Sequence, residues 1–150
     1  MIAQVIDAYQ KRNQGPLVEQ ASRRFAAITA GRYRGVVVDY DDERQILKAV
    51  RADGERLTME QLSTGRRDQL FLALRLAAIE GHLENGEPLP VIVDDILIQF
   101  DDEAAAATFQ VLADLSLRTQ VLFLTHHEHL LDVARAAIGD DAYRVQRLSP

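Results

Sequence analysis

The chain has 150 residues, 47% of them hydrophobic and 27% charged, no cysteine, and a formal net charge of −6. That length suits one compact soluble domain, and the balance excludes a disordered or fibrous chain. Without cysteine there is no disulfide, thiolate metal site or cysteine nucleophile, and the acidic total argues against a broad phosphate-binding surface.

Ile2, Val5, Ile6 and Tyr9 fall at helical spacing, and Gly15-Pro16 is expected to interrupt the run. A second stripe follows at Leu17, Ala21, Phe25 and Ile28, with Gly31 placed as a left-handed cap. Tyr33–Tyr40 and Ile46–Val50 are rich in β-branched and aromatic residues, separated by Asp41-Asp42-Glu43. Asp53-Gly54 supplies a hairpin turn before Arg56–Met59, so a small antiparallel meander is expected. From Gly65 the residues Leu70 to Ile79 predict a helix apolar around much of its circumference, and so largely buried.

Beyond a loop marked by Gly86, Pro88 and Pro90, the runs Val91–Val93 and Gln120–Leu124 read as fully buried strands. Helices are expected from Asp102 to about Leu117 and over Glu128–Ile138, the latter closed by Gly139. Tyr143–Leu148 reads as a last strand. Strand–helix alternation of this kind builds a parallel sheet flanked by helices. No apolar run approaches the ~20 residues that span a bilayer, and the N-terminus is too polar for a signal peptide, which points to the cytoplasm.

Four segments carry candidate chemistry. Leu62-Ser63-Thr64-Gly65 precedes a helix; it offers a hydroxyl and free N–H groups to an anion, or simply an N-cap from Ser63 or Thr64. Val91–Val93 ends in Asp94-Asp95, an arrangement that sets one acid toward Mg²⁺ and the next toward an attacking water. Phe100-Asp101-Asp102 either continues such a site or caps the next helix. Thr125-His126-His127-Glu128-His129 follows the second strand. Its histidines suggest zinc, but adjacent side chains are expected to diverge and HExxH spacing is absent. A polar histidine at a strand's carboxyl end fits ligand binding better.

In this order, LSTGRRDQLFLALRLA, PVIVDD, Phe100-Asp101 and VLFLTHHE resemble the signature motif, Walker B strand, D-loop and switch-histidine segment of an ABC-type ATPase head. Within that class the chain is similar to the SMC and SbcC-type ATPases, and most of all to YhaN-like AAA proteins. The resemblance runs from about Phe25 to the C-terminus. It implies the C-terminal lobe of a P-loop NTPase head over residues 31–150, with residues 1–30 as the helical end of a returning coiled-coil arm.

By the same resemblance, Ser63 and Gly65 would contact the γ-phosphate of ATP held by an opposing subunit. Asp94 would support Mg²⁺ through water, Asp95 would polarise the attacking water, Asp101 would be the D-loop aspartate, and His126 would sense the γ-phosphate. The implied partners are an N-terminal lobe carrying Walker A, a second head joined through ATP and, for the whole protein, DNA and a nuclease subunit. No membrane is implied.

The sequence departs from the family pattern at Thr64 and Arg66 within the signature, and at Asp95 in place of the usual glutamate. A β-branched residue at Thr64 resists positive φ. No GxxxxGK[ST] loop occurs. This chain alone is therefore expected to be one lobe of a larger protein, binding Mg-ATP weakly and not hydrolysing it. Two other readings are a degenerate, non-hydrolysing lobe that serves as a structural or dimerisation module, and a metal-dependent nuclease built from Asp94, Asp95 and the histidines.

Overall fold

A computed structural model describes residues 2–41 and 44–148. The architecture is mixed α/β in two compact units, Met1–Glu87 and Pro88–Pro150. Among the described residues, no helix is long and apolar enough to cross a membrane.

The first unit opens with α1 (Ile2–Ile28), followed by β1 (Tyr33–Asp41), β2 (Arg44–Arg51), β3 (Arg56–Leu57), a 3₁₀ turn at Met59–Gln61 and α2 (Thr64–Asn85). The three strands form an antiparallel sheet in the order β1-β2-β3, as the turn chemistry predicts. The β1–β2 connection at Asp42 and Glu43 lies outside the described residues. Ala21, Phe25 and Ile28 are fully buried; α1 packs on α2 and β1, with the Phe25 and Tyr33 rings 5.0 Å apart. Arg24 on α1 donates from Nε to Glu80 Oε2 on α2 at 2.9 Å, which neutralises a buried carboxylate.

Gly35 fixes how closely the sheet meets α1. Its φ is +145°, and a Cβ there would stand 1.8 Å from Ser22 Oγ. That hydroxyl accepts from Val36 N–H at 3.0 Å, at a register shift between Tyr33 and Gly35. A side chain at 35 would displace the contact that satisfies the irregular strand.

Three expectations for this unit need correction. Gly15-Pro16 does not break the helix, because α1 runs through Pro16. Proline lacks one N–H, but its fixed φ is close to the helical value, so a helix anchored downstream by Ala21, Phe25 and Ile28 tolerates it. The left-handed cap is Ala30 rather than Gly31. Ala30 N–H donates to Ala27 O at 3.0 Å and Gly31 N–H to Ala26 O at 2.9 Å, the paired bonds of a Schellman end. Ala30 has φ 51° and Gly31 follows at 77°. The long α2 is also less buried than its composition implies: Leu70, Ala73, Leu76 and Ala77 are buried, whereas Phe71 is 46% exposed.

The second unit contains β4 (Val91–Asp94), α3 (Asp102–Ser116), β5 (Val121–Leu124) and α4 (His129–Ile138). β4 and β5 are parallel and in register from Val91↔Val121 to Asp94↔Leu124. Thr119 Oγ1 donates to Leu89 O at 2.7 Å and Val91 N–H to Gln120 O at 2.8 Å, so both strands start at the same level. Gly139, at φ 77°, closes α4 as expected.

Neither strand is fully buried. Val93 is covered and Phe123 packs on a core of Leu97, Ala105, Phe109, Leu130 and Ala134, while Ile92, Leu122 and Leu124 on the alternate face are exposed. The helices cover one face of a two-stranded sheet, so apolar runs that read as two-sided strands have one covered side. Tyr143–Leu148 forms no strand, because no strand in the described residues lies beside it. Tyr143 instead packs on the core and donates from its hydroxyl to Leu131 O at 3.4 Å, and Arg147 pairs with Glu128 at 2.6 Å.

Candidate functional site

Parallel strands in register end together, and here both ends carry polar residues. Asp94 closes β4 opposite Leu124, and Asp95 N–H donates to Leu124 O at 2.9 Å. The chain then turns sharply, with Asp95 at φ 47°. Aspartate is among the few side chains that tolerate this left-handed region. The turn directs Asp95 toward Thr125 and His126, which follow β5.

His126 Nδ1 lies 2.5 Å from Asp95 Oδ2. The Thr125 hydroxyl chiefly, and His126 after it, hold the Asp95 carboxyl below the usual carboxylate range, against the desolvation that would raise it. An ionised carboxylate only accepts, so the shared proton is on His126 Nδ1 and the histidine donates. Asp95 Oδ1 is buried with no partner in hydrogen-bond geometry. The loop is held by His127 N–H donating to Thr125 Oγ1 at 3.1 Å.

The two adjacent histidines do not diverge as expected. Their ring centroids are 3.9 Å apart, and one ligand atom from each of Asp95, His126 and His127 falls within 4.8 Å of the others. Alternation sends neighbours to opposite sides only in an extended strand, and β5 ends at Leu124. The sequence signal for this grouping was present in HHEH, but the turn that gathers the rings was not.

Asp94 is exposed at the end of β4. A hard oxygen donor of that kind suits Mg²⁺ held largely by water. Asp101 caps α3, its side chain accepting from Ala104 N–H at 2.9 Å. Ser63 and Gly65 belong to the first unit. Ser63 is the N-cap of α2, accepting from Arg66 N–H at 3.4 Å, and Gly65 lies in the first turn. Thr64 has no positive φ, so its β-branch is accommodated as the first helical residue. Asp95, His126 and His127 are thus gathered at one sheet end, with Asp94 at the end of β4. Asp101 lies at the start of the following helix.

No family model matches the chain. It is 31% identical over 137 residues to the uncharacterized protein YhaN of Bacillus subtilis, a match covering 88% of this chain and 14% of that protein. The chain therefore spans about a seventh of that relative. Among solved structures it is similar to an SMC ATPase described for ATP-driven dimerisation and DNA-stimulated activation, with a TM-score of 0.69 at 16% identity. That match covers 85% of this chain and 77% of the other. The SMC head of Pyrococcus furiosus, bound to the C-terminal domain of ScpA, gives a TM-score of 0.63 at 17% identity, over 91% of this chain and 35% of that one. The SMC head of Thermotoga maritima gives 0.57 at 20% identity, over 89% and 44%.

Proposed function

The chain has the fold of part of an SMC-like ATPase head, and on that premise we propose that it is the C-terminal lobe supplying half of a composite ATP-hydrolysis site. The observation that carries this reading is the Asp95–His126 pair at the shared carboxyl end of β4 and β5. Ligands of open α/β sheets bind at such ends.

On this reading each residue takes a role that its atoms support. Asp95 Oδ2 is engaged by His126, and its buried Oδ1 is left to accept from an attacking water. With Nδ1–H committed to Asp95, His126 has Nε2 to offer; it donates to a phosphate oxygen only as the doubly protonated ring. Asp94 would hold Mg²⁺, whose charge neutralises phosphate oxygens when bound. Asp101 caps α3 and orders the loop after β4. Ser63 and Gly65, at the N-terminal end of a 22-residue helix, would face the γ-phosphate of ATP held by a second head. The lysine-bearing loop would come from an N-terminal lobe, with α1 as the end of a coiled-coil arm. The whole protein would act as an ATP-joined dimer in the cytoplasm, in DNA repair or chromosome maintenance.

The test is reconstitution with a lobe carrying the phosphate loop. Turnover that appears on mixing and is lost with Asp95→Asn supports the reading. Mg-ATP binding without turnover would instead support the non-hydrolysing module, in which Asp95 serves only to order His126.

A further inference from the structure

We propose that Asp95, His126 and His127 form a binding site for a divalent transition-metal ion of the zinc type. One ligand atom from each lies within 4.8 Å of the other two. Tetrahedral zinc with bonds of about 2.0–2.1 Å separates its ligands by roughly 3.3 Å, so closure needs only modest side-chain rotation. His126, with 72% of its side chain exposed, has room to turn, at the cost of its Nδ1 contact with Asp95 Oδ2.

The donor set decides the class of ion. Two imidazole nitrogens and one carboxylate oxygen suit zinc, cobalt or nickel, whereas Mg²⁺ and Ca²⁺ prefer oxygen alone. Asp95 Oδ1 and His127 Nε2 are both buried with no hydrogen-bond partner, and an unsatisfied buried polar atom costs about 1–3 kcal/mol. A shared cation would satisfy both. Three protein ligands leave a fourth position open to water.

The backbone is already arranged for this. The strained turn at Asp95, φ 47°, and the Thr125 hydroxyl that accepts from His127 N–H hold the two halves of the site before any ion arrives. His129, whose ring centroid is 5.8 Å from that of His127, is the neighbouring imidazole that a test must separate from the set. The site shares Asp95 and His126 with the proposed ATP site, but zinc binding is read without nucleotide. On the reading above, an ion here would take Asp95 and His126 away from turnover.

The experiment is titration of the purified 150-residue chain with ZnCl₂, followed by calorimetry and by imidazole ¹H–¹⁵N spectra. Saturation at one equivalent is expected, with His126 and His127 nitrogens shifted and His82 unmoved. Asp95→Asn, His126→Ala and His127→Ala should each weaken zinc at least tenfold, and His129→Ala less than twofold. Cobalt should bind and Mg²⁺ should not compete. Should a variant misfold, the wild-type spectra decide alone. Shifts spread over all four histidines, no binding at micromolar zinc, or affinity that survives the His126 and His127 substitutions would overturn the site.

Discussion

His126 Nδ1 sits 2.5 Å from Asp95 Oδ2, joining the residue that follows β4 to the loop that follows β5. The contact exists because the two strands are parallel and in register through Asp94↔Leu124. It orders the imidazole and fixes its Nδ1 proton, and the other carboxylate oxygen is buried with no partner in hydrogen-bond geometry.

Asp95→Asn is the cleanest probe of that carboxylate, since asparagine also tolerates left-handed φ. In a reconstituted head it should retain ATP binding and slow hydrolysis by about 10²–10⁴-fold, the usual worth of a general base. Single-turnover kinetics with nucleotide binding measured in parallel separates the two effects. An unchanged rate would remove Asp95 from the chemistry.

Ser63 has a structural and a proposed functional role, and two substitutions separate them. Ser63→Ala should cost about 0.5–2 kcal/mol through loss of the α2 cap, nearer the lower figure because the bond is 3.4 Å long. Ser63→Asn preserves a cap and should leave denaturant stability nearly unchanged. Ser63→Arg should block ATP-driven head dimerisation, which size-exclusion chromatography with light scattering reports.

Acid stability follows from carboxyls held low in the folded state. Asp95 is lowered chiefly by Thr125, Asp39 chiefly by Lys48, and Glu60 chiefly by its own backbone N–H. A lowered folded value means that the stabilisation is full above the ordinary carboxylate range and is lost as pH falls below it, through the folded values. Urea midpoints should therefore fall below about pH 4. In Asp39→Asn and Asp95→Asn the decline should be shallower. An equally steep acid limb in both variants would contradict the assigned causes.

Gly35→Ala should destabilise the first unit by about 2 kcal/mol or more, because the new Cβ meets Ser22 Oγ at 1.8 Å and the φ is left-handed. Ser22→Ala should recover part of that loss, so the pair should show clear coupling in a double-mutant cycle. Additive effects would mean that α1 and β1 do not meet as described.

The meander, the strand–helix alternation and the polar strand ends were legible in the sequence, because periodicity and turn residues act locally. Ala30 as the left-handed cap was not, since glycine at 31 masks the position that the Schellman bonds select. Passage of α1 through Pro16 reflects tertiary anchoring that no local rule records. Tyr143–Leu148 has strand composition but no neighbour. The site residues were readable one by one, whereas the close approach of the His126 and His127 rings depends on a turn that begins where β5 ends.

Ile92, Leu122 and Leu124 leave one face of the parallel pair apolar and exposed, and among the described residues β5 pairs on one side only. Faces and edges of this kind recruit other chains. Sedimentation of the purified chain over a concentration series should show self-association, suppressed by a lobe that supplies the missing strand. A strictly monomeric species at high concentration would show that the face is self-sufficient.

The most direct test is ATP turnover by the 150-residue chain alone and together with a phosphate-loop lobe. The account predicts no turnover alone, Mg²⁺-dependent turnover on combination, and its loss with Asp95→Asn. Robust hydrolysis by the chain alone, or hydrolysis by the pair that Asp95→Asn leaves intact, would contradict it.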